Sequence, residues 1–226
     1  MKTIFYPSLC CCFLILSCSP LAPHQRTSFA QIHDQSYQLV NRKIYTYQEG
    51  DYQGIRLSEA DNSGMAWLVG ENFSTGTLEF DVKGRDGFQS SFVGLAFHGQ
   101  NNQNYEAIYF RPFNFQAEEV IRRAHGVQYI AEPHYSWHVL RRLQPLEFES
   151  QVKPTNIKAT DWFHVRLEVD ETHVRVFVND NPQPSLEAER IRTDLTDGSV
   201  GFWVGSGSDG RFANLVIKED VTADTL

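Results

Sequence analysis

Apolar and polar residues alternate with a period of two along much of the chain, as expected for β-strands that bury one face. In residues 77–83, positions 78, 80 and 82 are apolar, whereas positions 79, 81 and 83 are charged. The same pattern predicts that one interior is shared by Val165, Leu167, Val174, Val176 and Val178. Glycine-, asparagine- and aspartate-rich turns separate the strands, which together predict an all-β sandwich or barrel. The predicted strands are residues 37–47, 55–57, 65–68, 77–83, 92–97, 105–113, 127–130, 162–169, 174–179, 199–204 and 212–218.

Helices are predicted to contribute little. One helical turn is expected at residues 118–124. His134 and His138 are four residues apart, but no helix is predicted to place them on one face, so the sequence predicts no metal site there.

The stretch from residue 104 to residue 141 carries the candidate ligand-binding chemistry. Ile108 and Phe110 are predicted to face one side of a strand, and Tyr109 and Arg111 the other. Aromatic rings pack on the C–H face of a sugar ring, and guanidinium and amide groups hydrogen-bond its hydroxyls. The alternative is that the aromatic residues belong to the core and that Arg111 is in a surface ion pair. The predicted ligand-binding residues are Glu106, Tyr109, Arg111, Asn114, Gln128, Tyr129, His134, Trp137 and Arg141.

Arg111 is not expected to be buried alone, because an unpaired buried charge is costly. Its predicted partner is Glu106 or an oxygen of the ligand.

The overall charge argues against a nucleic-acid partner. The chain of 226 residues has a formal net charge of -8, so it provides no basic field to neutralise phosphates. The pairs Arg122-Arg123 and Arg141-Arg142 are too short to change this.

The first eighteen residues contain all four cysteines, at positions 10, 11, 12 and 18. Lys2 precedes an apolar run over residues 9–16, which is long enough for an export signal and too short for a membrane span. The run ends at Ser17-Cys18, which resembles the lipobox of bacterial lipoproteins, although Ile15 stands where that pattern prefers leucine. The resemblance implies cleavage before Cys18 and lipidation of its thiol. The alternative is an ordinary signal peptide cleaved after Ala30.

These features predict three segments: a lipoprotein signal peptide over residues 1–18, a flexible tether over 19–40 and a β-sandwich domain over 41–226. The tether has no acidic run after Cys18, which favours an outer-membrane anchor that faces the periplasm. The predicted partners are therefore a glycan or another polyhydroxylated ligand, and the membrane through the lipid on Cys18.

Four stretches resemble strands of the concanavalin A-like lectin and glucanase superfamily, in particular its laminin-G-like modules. They are LEFDVK, DWFHVRLEVDETHVRVFVND, DGSVGFWVG and GRFANLVI, within a resemblance that covers residues 41–218. The resemblance implies a jelly-roll β-sandwich of two antiparallel sheets. It does not imply one activity, because this fold carries lectins, hydrolases, lyases and adhesion modules. A strand of the form YE-x-x-Y, here beginning at Tyr105, also resembles relatives of 3-keto-disaccharide hydrolases.

The glucanases of this superfamily carry an E-x-D-x-E motif on one strand, where period two aligns the three carboxylates. Glu79 and Asp81 match its first two positions, but Lys83 replaces the acid/base, so both carboxylates are predicted to be solvated strand residues. Glu106 is then the best candidate acid/base if the protein is an enzyme.

The sequence thus predicts an exported, lipid-anchored carbohydrate-binding protein that needs no cofactor. The alternatives are a glycan-active hydrolase or lyase that uses the same face, and a structural adhesion module. No metal is predicted. Proteins of the resembled superfamily can bind a structural calcium ion, but this sequence has no acidic loop that would require one.

Overall fold

Residues 36–220, which a computed structural model describes, form two antiparallel sheets of seven strands each. The strands are β1 (Tyr37–Val40), β2 (Ile44–Glu49), β3 (Tyr52–Leu57), β4 (Gly64–Phe73), β5 (Gly76–Lys83), β6 (Val93–Asn101), β7 (Asn104–Phe110), β8 (Val127–Glu132), β9 (Glu149–Ser150), β10 (Phe163–Val169), β11 (His173–Val178), β12 (Leu186–Glu189), β13 (Gly198–Val204) and β14 (Gly210–Glu219). The helices are α1 (Val120–Arg123) and α2 (Trp137–Leu143), and Pro112–Asn114 forms a 3-10 turn. This architecture confirms the predicted jelly-roll β-sandwich. Cys18 and the signal-peptide prediction lie outside the described residues.

The two sheets are formed by strands that are distant in sequence. The first sheet has the order β1-β4-β13-β6-β7-β8-β9, and the second has the order β12-β11-β10-β5-β14-β3-β2. Each pairing is antiparallel, so neighbouring strands bring residues of the same face into cross-strand rows.

The core lies between the sheets, where aromatic rings from both layers are in contact. Phe110 of β7 meets Phe163 of β10 with ring centroids 5.0 Å apart, and Phe202 of β13 stacks on Phe212 of β14 at 4.6 Å. The predicted shared interior is confirmed, because its five members are fully buried: Val165, Leu167, Val174, Val176 and Val178. Period-two alternation therefore identified the inner face of β10 and β11 in the second sheet correctly.

Three differences from the sequence prediction have local causes. The strand predicted to reach residue 113 ends at Phe110, because Pro112 has no backbone N–H and begins the 3-10 turn. A helix, α2, starts at Trp137, where none was predicted, and Leu140 buries its apolar side chain. The first strand falls within residues 19–40, the range assigned to the tether, and pairs with β4.

Two further strands, β9 and β12, were not predicted. β12 alternates buried Leu186 and Ala188 with exposed glutamates, a pattern that is present in the sequence but short. β9 has only two residues, which is too few for a periodic signal. Within residues 36–220, no helix combines the length and the apolarity that a membrane span requires.

Candidate ligand-binding cleft

A cleft of about 460 Å³ opens on the outer face of the first sheet, beside β7 and α2. Four of the predicted ligand-binding residues line it: Arg111, Asn114, Trp137 and Arg141. The other lining residues are Phe88, Gln89, Phe92, Phe113, Arg122 and His125. The stretch that the sequence singled out therefore contributes most of the cleft.

A cross-strand row underlies the cleft. Tyr109 of β7 is opposite Gln128 of β8, and Gln128 is opposite Glu149 of β9, so the three side chains share one face. Tyr109 is also opposite Gly94 of β6, where a Cβ atom would lie 2.8 Å from the Cβ of Tyr109. Gly94 thereby leaves room for the rings of Tyr109 and Trp203 to approach to 4.8 Å.

Arg111 lies at the base of the cleft and is only 6% exposed. Its Nη2 donates to the hydroxyl of Tyr109 at 2.6 Å and to Oε1 of Gln128 at 3.2 Å, and its Nη1 donates to the carbonyl of His125 at 3.1 Å. Burial lowers the pKa of Arg111 and raises the pKa of Tyr109 to about 12, so the phenol stays protonated. Tyr109 and Gln128 are buried under the cleft and position Arg111 rather than line the cavity.

The carboxylate closest to Arg111 is Glu149 and not the predicted Glu106. Arg111 Nη1 lies 3.6 Å from Oε2 of Glu149. Both oxygens of Glu149 accept hydrogen bonds from Arg141, from Nε at 2.7 Å and from Nη2 at 2.5 Å. This bidentate pair joins α2 to the edge strand β9 and fixes the wall of the cleft.

His125 stands between these charges. Its Nδ1 lies 2.9 Å from Oε2 of Glu149. Burial lowers the pKa of His125 below its ordinary 6.5, and the charges of Arg141 and Arg111 act in the same direction against that of Glu149. Burial and the two arginines therefore oppose protonation of the imidazole.

Aromatic rings form the mouth of the cleft. Phe88 is 64% exposed and Trp137 is 46% exposed, and Arg122 and Arg141 lie over these two rings, with Cζ 4.9 and 5.0 Å from the ring centroids. Arg111 lies over the ring of Tyr109 at 4.9 Å. Each arginine of the cleft thus lies within cation–π distance of an aromatic ring.

Glu106 and Tyr129 do not reach the cleft, which corrects their prediction as ligand-binding residues. Both are fully buried between the two sheets. The carboxylate of Glu106 accepts hydrogen bonds from the Tyr129 hydroxyl, from Nη2 of Arg190 at 2.7 Å and from Nε of Arg190 at 3.3 Å, and it lies 2.7 Å from Nδ1 of His98. Glu106 is therefore part of an interior ion cluster, where no solvent or ligand reaches it.

His134 is also absent from the cleft. It is exposed in the turn after β8 and does not line the cavity.

The E-x-D pair lies on the other sheet. Asp81 accepts hydrogen bonds from Asn214 at 2.5 Å and contacts His164 Nδ1 at 2.9 Å, and Glu79 accepts from Lys218 at 2.8 Å. These carboxylates take part in polar contacts on the outer face of the second sheet, where Glu79 is half-buried. The prediction that both are solvated is wrong for Asp81, which these contacts bury. No aspartate or glutamate lines the cleft in the part of the chain that is described.

Sequence reasoning missed six lining residues of the cleft, namely Phe88, Gln89, Phe92, Phe113, Arg122 and His125. Phe113 lies in the stretch that the sequence singled out but was not assigned to the site. Arg122 was noticed only as part of a basic pair. Phe88 and Gln89 lie in the loop before β6, which is adjacent to β7 in the sheet, and no periodic signal connects that loop with the residues after β7. Residues 36–220 contain no group of three or more His, Cys, Asp or Glu side chains that could hold a metal ion.

Comparisons with known proteins identify the fold. No family model matches the chain. No curated protein matches it either.

Among solved structures, the chain is similar to the carbohydrate-binding module CBM66 from Bacillus subtilis, with a TM-score of 0.59, 16% identity and coverage of 83% of this chain and 98% of that module. A Bacillus subtilis protein of unknown function with a galectin-like fold has a TM-score of 0.56 and 12% identity over 89% of this chain and 96% of its own. The exoplasmic/lumenal domain of VIP36, solved with Ca²⁺ and Man3GlcNAc, has a TM-score of 0.51 and 12% identity over 84% of this chain and 85% of its own. At these identities the similarity shows the fold alone, and the chain has the concanavalin A-like jelly-roll fold.

Proposed function

We propose that the protein binds a glycan in the cleft on the outer face of the first sheet. The observation that carries the proposal is the pairing of exposed aromatic rings with hydrogen-bond donors in one cavity. Phe88 and Trp137 offer faces on which a sugar ring packs, while Arg111, Arg122 and Asn114 offer groups for its hydroxyls. The volume of about 460 Å³ falls within the range of small-ligand sites. The carbohydrate-binding module and the oligosaccharide-bound domain of the same fold support the proposal.

Binding without turnover fits the cleft better than glycoside hydrolysis. A hydrolase of this kind needs two carboxylates that flank the scissile bond. Glu149 lies beneath the cleft with both oxygens bound to Arg141, and Glu106 is enclosed in the core. Neither carboxylate is free to act as a general acid or a nucleophile.

Trp137→Ala is expected to weaken glycan binding about 10- to 100-fold, because truncation of a central aromatic contact removes most of its binding energy. The melting temperature should stay nearly unchanged, since the ring is 46% exposed. A glycan array followed by titration calorimetry on the best ligand measures the effect.

Tyr45→Ala provides the control, because Tyr45 is a similarly exposed aromatic residue, 50%, on β2 of the second sheet. It should leave affinity unchanged. Equal affinity of the Trp137→Ala and wild-type proteins for every bound glycan would place the binding site elsewhere.

We further propose that the protein is exported and anchored in the bacterial envelope, through a lipid on Cys18, with the sandwich facing the periplasm. The apolar run that ends at Ser17-Cys18 supports this proposal.

Cys18→Ala is expected to move the protein from the membrane fraction to the soluble envelope fraction, because it removes the acceptor of the lipid. Fractionation of cells followed by mass spectrometry of the N-terminal peptide measures this. A wild-type protein without lipid, together with a Cys18→Ala protein that stays in the membrane fraction, would refute the anchor.

A further inference from the structure

We propose that the ligand of the cleft is an anionic glycan, whose sugars carry carboxylate or sulfate groups. This inference rests on the proposed glycan-binding function and specifies the class of sugar that the same site takes.

The charge of the cleft is opposite to that of the protein. Three arginines, at positions 111, 122 and 141, line the cavity, and no aspartate or glutamate does so among the described residues. The chain as a whole has a formal net charge of -8. A concentration of cationic groups in one concave site therefore contrasts with a surface that repels anions elsewhere.

The carboxylates around the cleft leave Arg111 without a full counter-charge. Glu149 is the nearest carboxylate at 3.6 Å, but both of its oxygens accept hydrogen bonds from Arg141. Glu119 pairs with Arg122 at the exposed rim, at 3.3 Å. The hydrogen bonds of Arg111 go to three neutral acceptors, namely the Tyr109 hydroxyl, the Gln128 amide and the His125 carbonyl.

A guanidinium that is only 6% exposed and that shares its one nearby carboxylate is costly to keep charged. An anionic group in the cleft would supply the missing charge. A neutral hydroxyl would hydrogen-bond to the same arginine without compensating its charge, so the arrangement favours an anion over a neutral sugar.

The geometry of the arginines suits planar or multidentate anions. Arg122 and Arg141 lie over the rings of Phe88 and Trp137. Arg122 donates three hydrogen bonds, to Asn114, Glu119 and the carbonyl of Phe113, and Arg141 donates two to Glu149. Because a guanidinium has five N–H donors, both arginines keep further N–H groups for the oxygens of a carboxylate or a sulfate. The same two rings provide the apolar faces for the sugar, so one ligand can use both kinds of contact.

The test compares charged polymers with neutral polymers of the same backbone. Polygalacturonate is paired with its fully methyl-esterified form, and dextran sulfate is paired with dextran. Dissociation constants are measured for the full-length chain by affinity electrophoresis. We expect at least one anionic polymer to bind at least about tenfold more tightly than its neutral partner, as a charge-assisted contact does. The two pairs show whether the recognised group is a carboxylate or a sulfate.

Two charge-neutralising variants separate the cleft from the rest of the surface. Arg122→Gln should reduce the preference for the anionic polymer about tenfold, because it removes one charged contact. Arg175→Gln is the control, because it removes the same charge from β11. The Arg175 side chain is 31% exposed, against 34% for Arg122. This variant should leave the preference for the anionic polymer unchanged. Arg111→Gln is a further variant, with its folding checked by circular dichroism.

The outcomes distinguish this inference from the proposed function. Equal affinity for charged and neutral polymers, or no binding of any of the four, overturns the anionic ligand. An equal loss with Arg122→Gln and Arg175→Gln overturns it too, because binding would then follow net charge. If neutral glycans bind on an array and Trp137→Ala removes that binding, the proposed function stands without the anion. If Trp137→Ala changes nothing, the proposed function fails as well.

Discussion

Replacing Arg190 with alanine is expected to lower the free energy of unfolding by about 3–5 kcal/mol, the usual cost of removing one partner of a buried ion pair. Nη2 of Arg190 donates to Oε2 of Glu106 at 2.7 Å, and both side chains are buried between the sheets. Burial by itself raises the pKa of Glu106, but hydrogen bonds from His98, Arg190 and Tyr129 outweigh it and lower that pKa below its usual value. Without Arg190, the core would hold a carboxylate that has lost its guanidinium partner.

Urea denaturation followed by tryptophan fluorescence measures this loss. Arg175→Ala is the control, because Arg175 pairs with Asp170 and Glu187 at the surface, where such pairs contribute about 0–1 kcal/mol. A cost for Arg190→Ala no greater than that of the control would mean that the interior cluster contributes specificity of folding and little stability.

Replacing Leu167 with alanine is expected to cost about 2–5 kcal/mol of unfolding free energy, because it leaves a cavity in a packed core. Leu167 is fully buried in β10 and lies opposite Leu78 of β5 and Val176 of β11. Each neighbour is held in its own strand pairing, so the site has little freedom to collapse.

The adjacent residue provides the control for this variant. Glu168 points to the outer face of the second sheet. Glu168→Ala should lower the free energy of unfolding by about 1 kcal/mol or less. Denaturant titration of both variants tests which face of β10 is buried. A larger loss of unfolding free energy for Glu168→Ala than for Leu167→Ala would mean that the opposite face is buried.

The prediction of the candidate site from the sequence failed where neighbours along the chain were treated as neighbours in space. Residues two apart in a strand share a face, so Tyr109 and Arg111 were placed together correctly. Glu106 is three residues from Tyr109 and must therefore face the opposite way, into the core. Consecutive Gln128 and Tyr129 likewise cannot share a face, and only Gln128 lies beneath the cleft.

The sequence by itself determined the fold class and the inner face of most strands, because period two and turn composition are local properties of the chain. It also determined that Arg111 needed a partner. Only the tertiary structure decided that the nearest carboxylate is Glu149, which Arg111 shares with Arg141, since β9 reaches β7 through the pairings of β8. It likewise decided that the loop with Phe88 faces the helix with Trp137 across one cavity. Such contacts join segments that are distant in sequence, and they depend on sheet order and register, which no local pattern encodes.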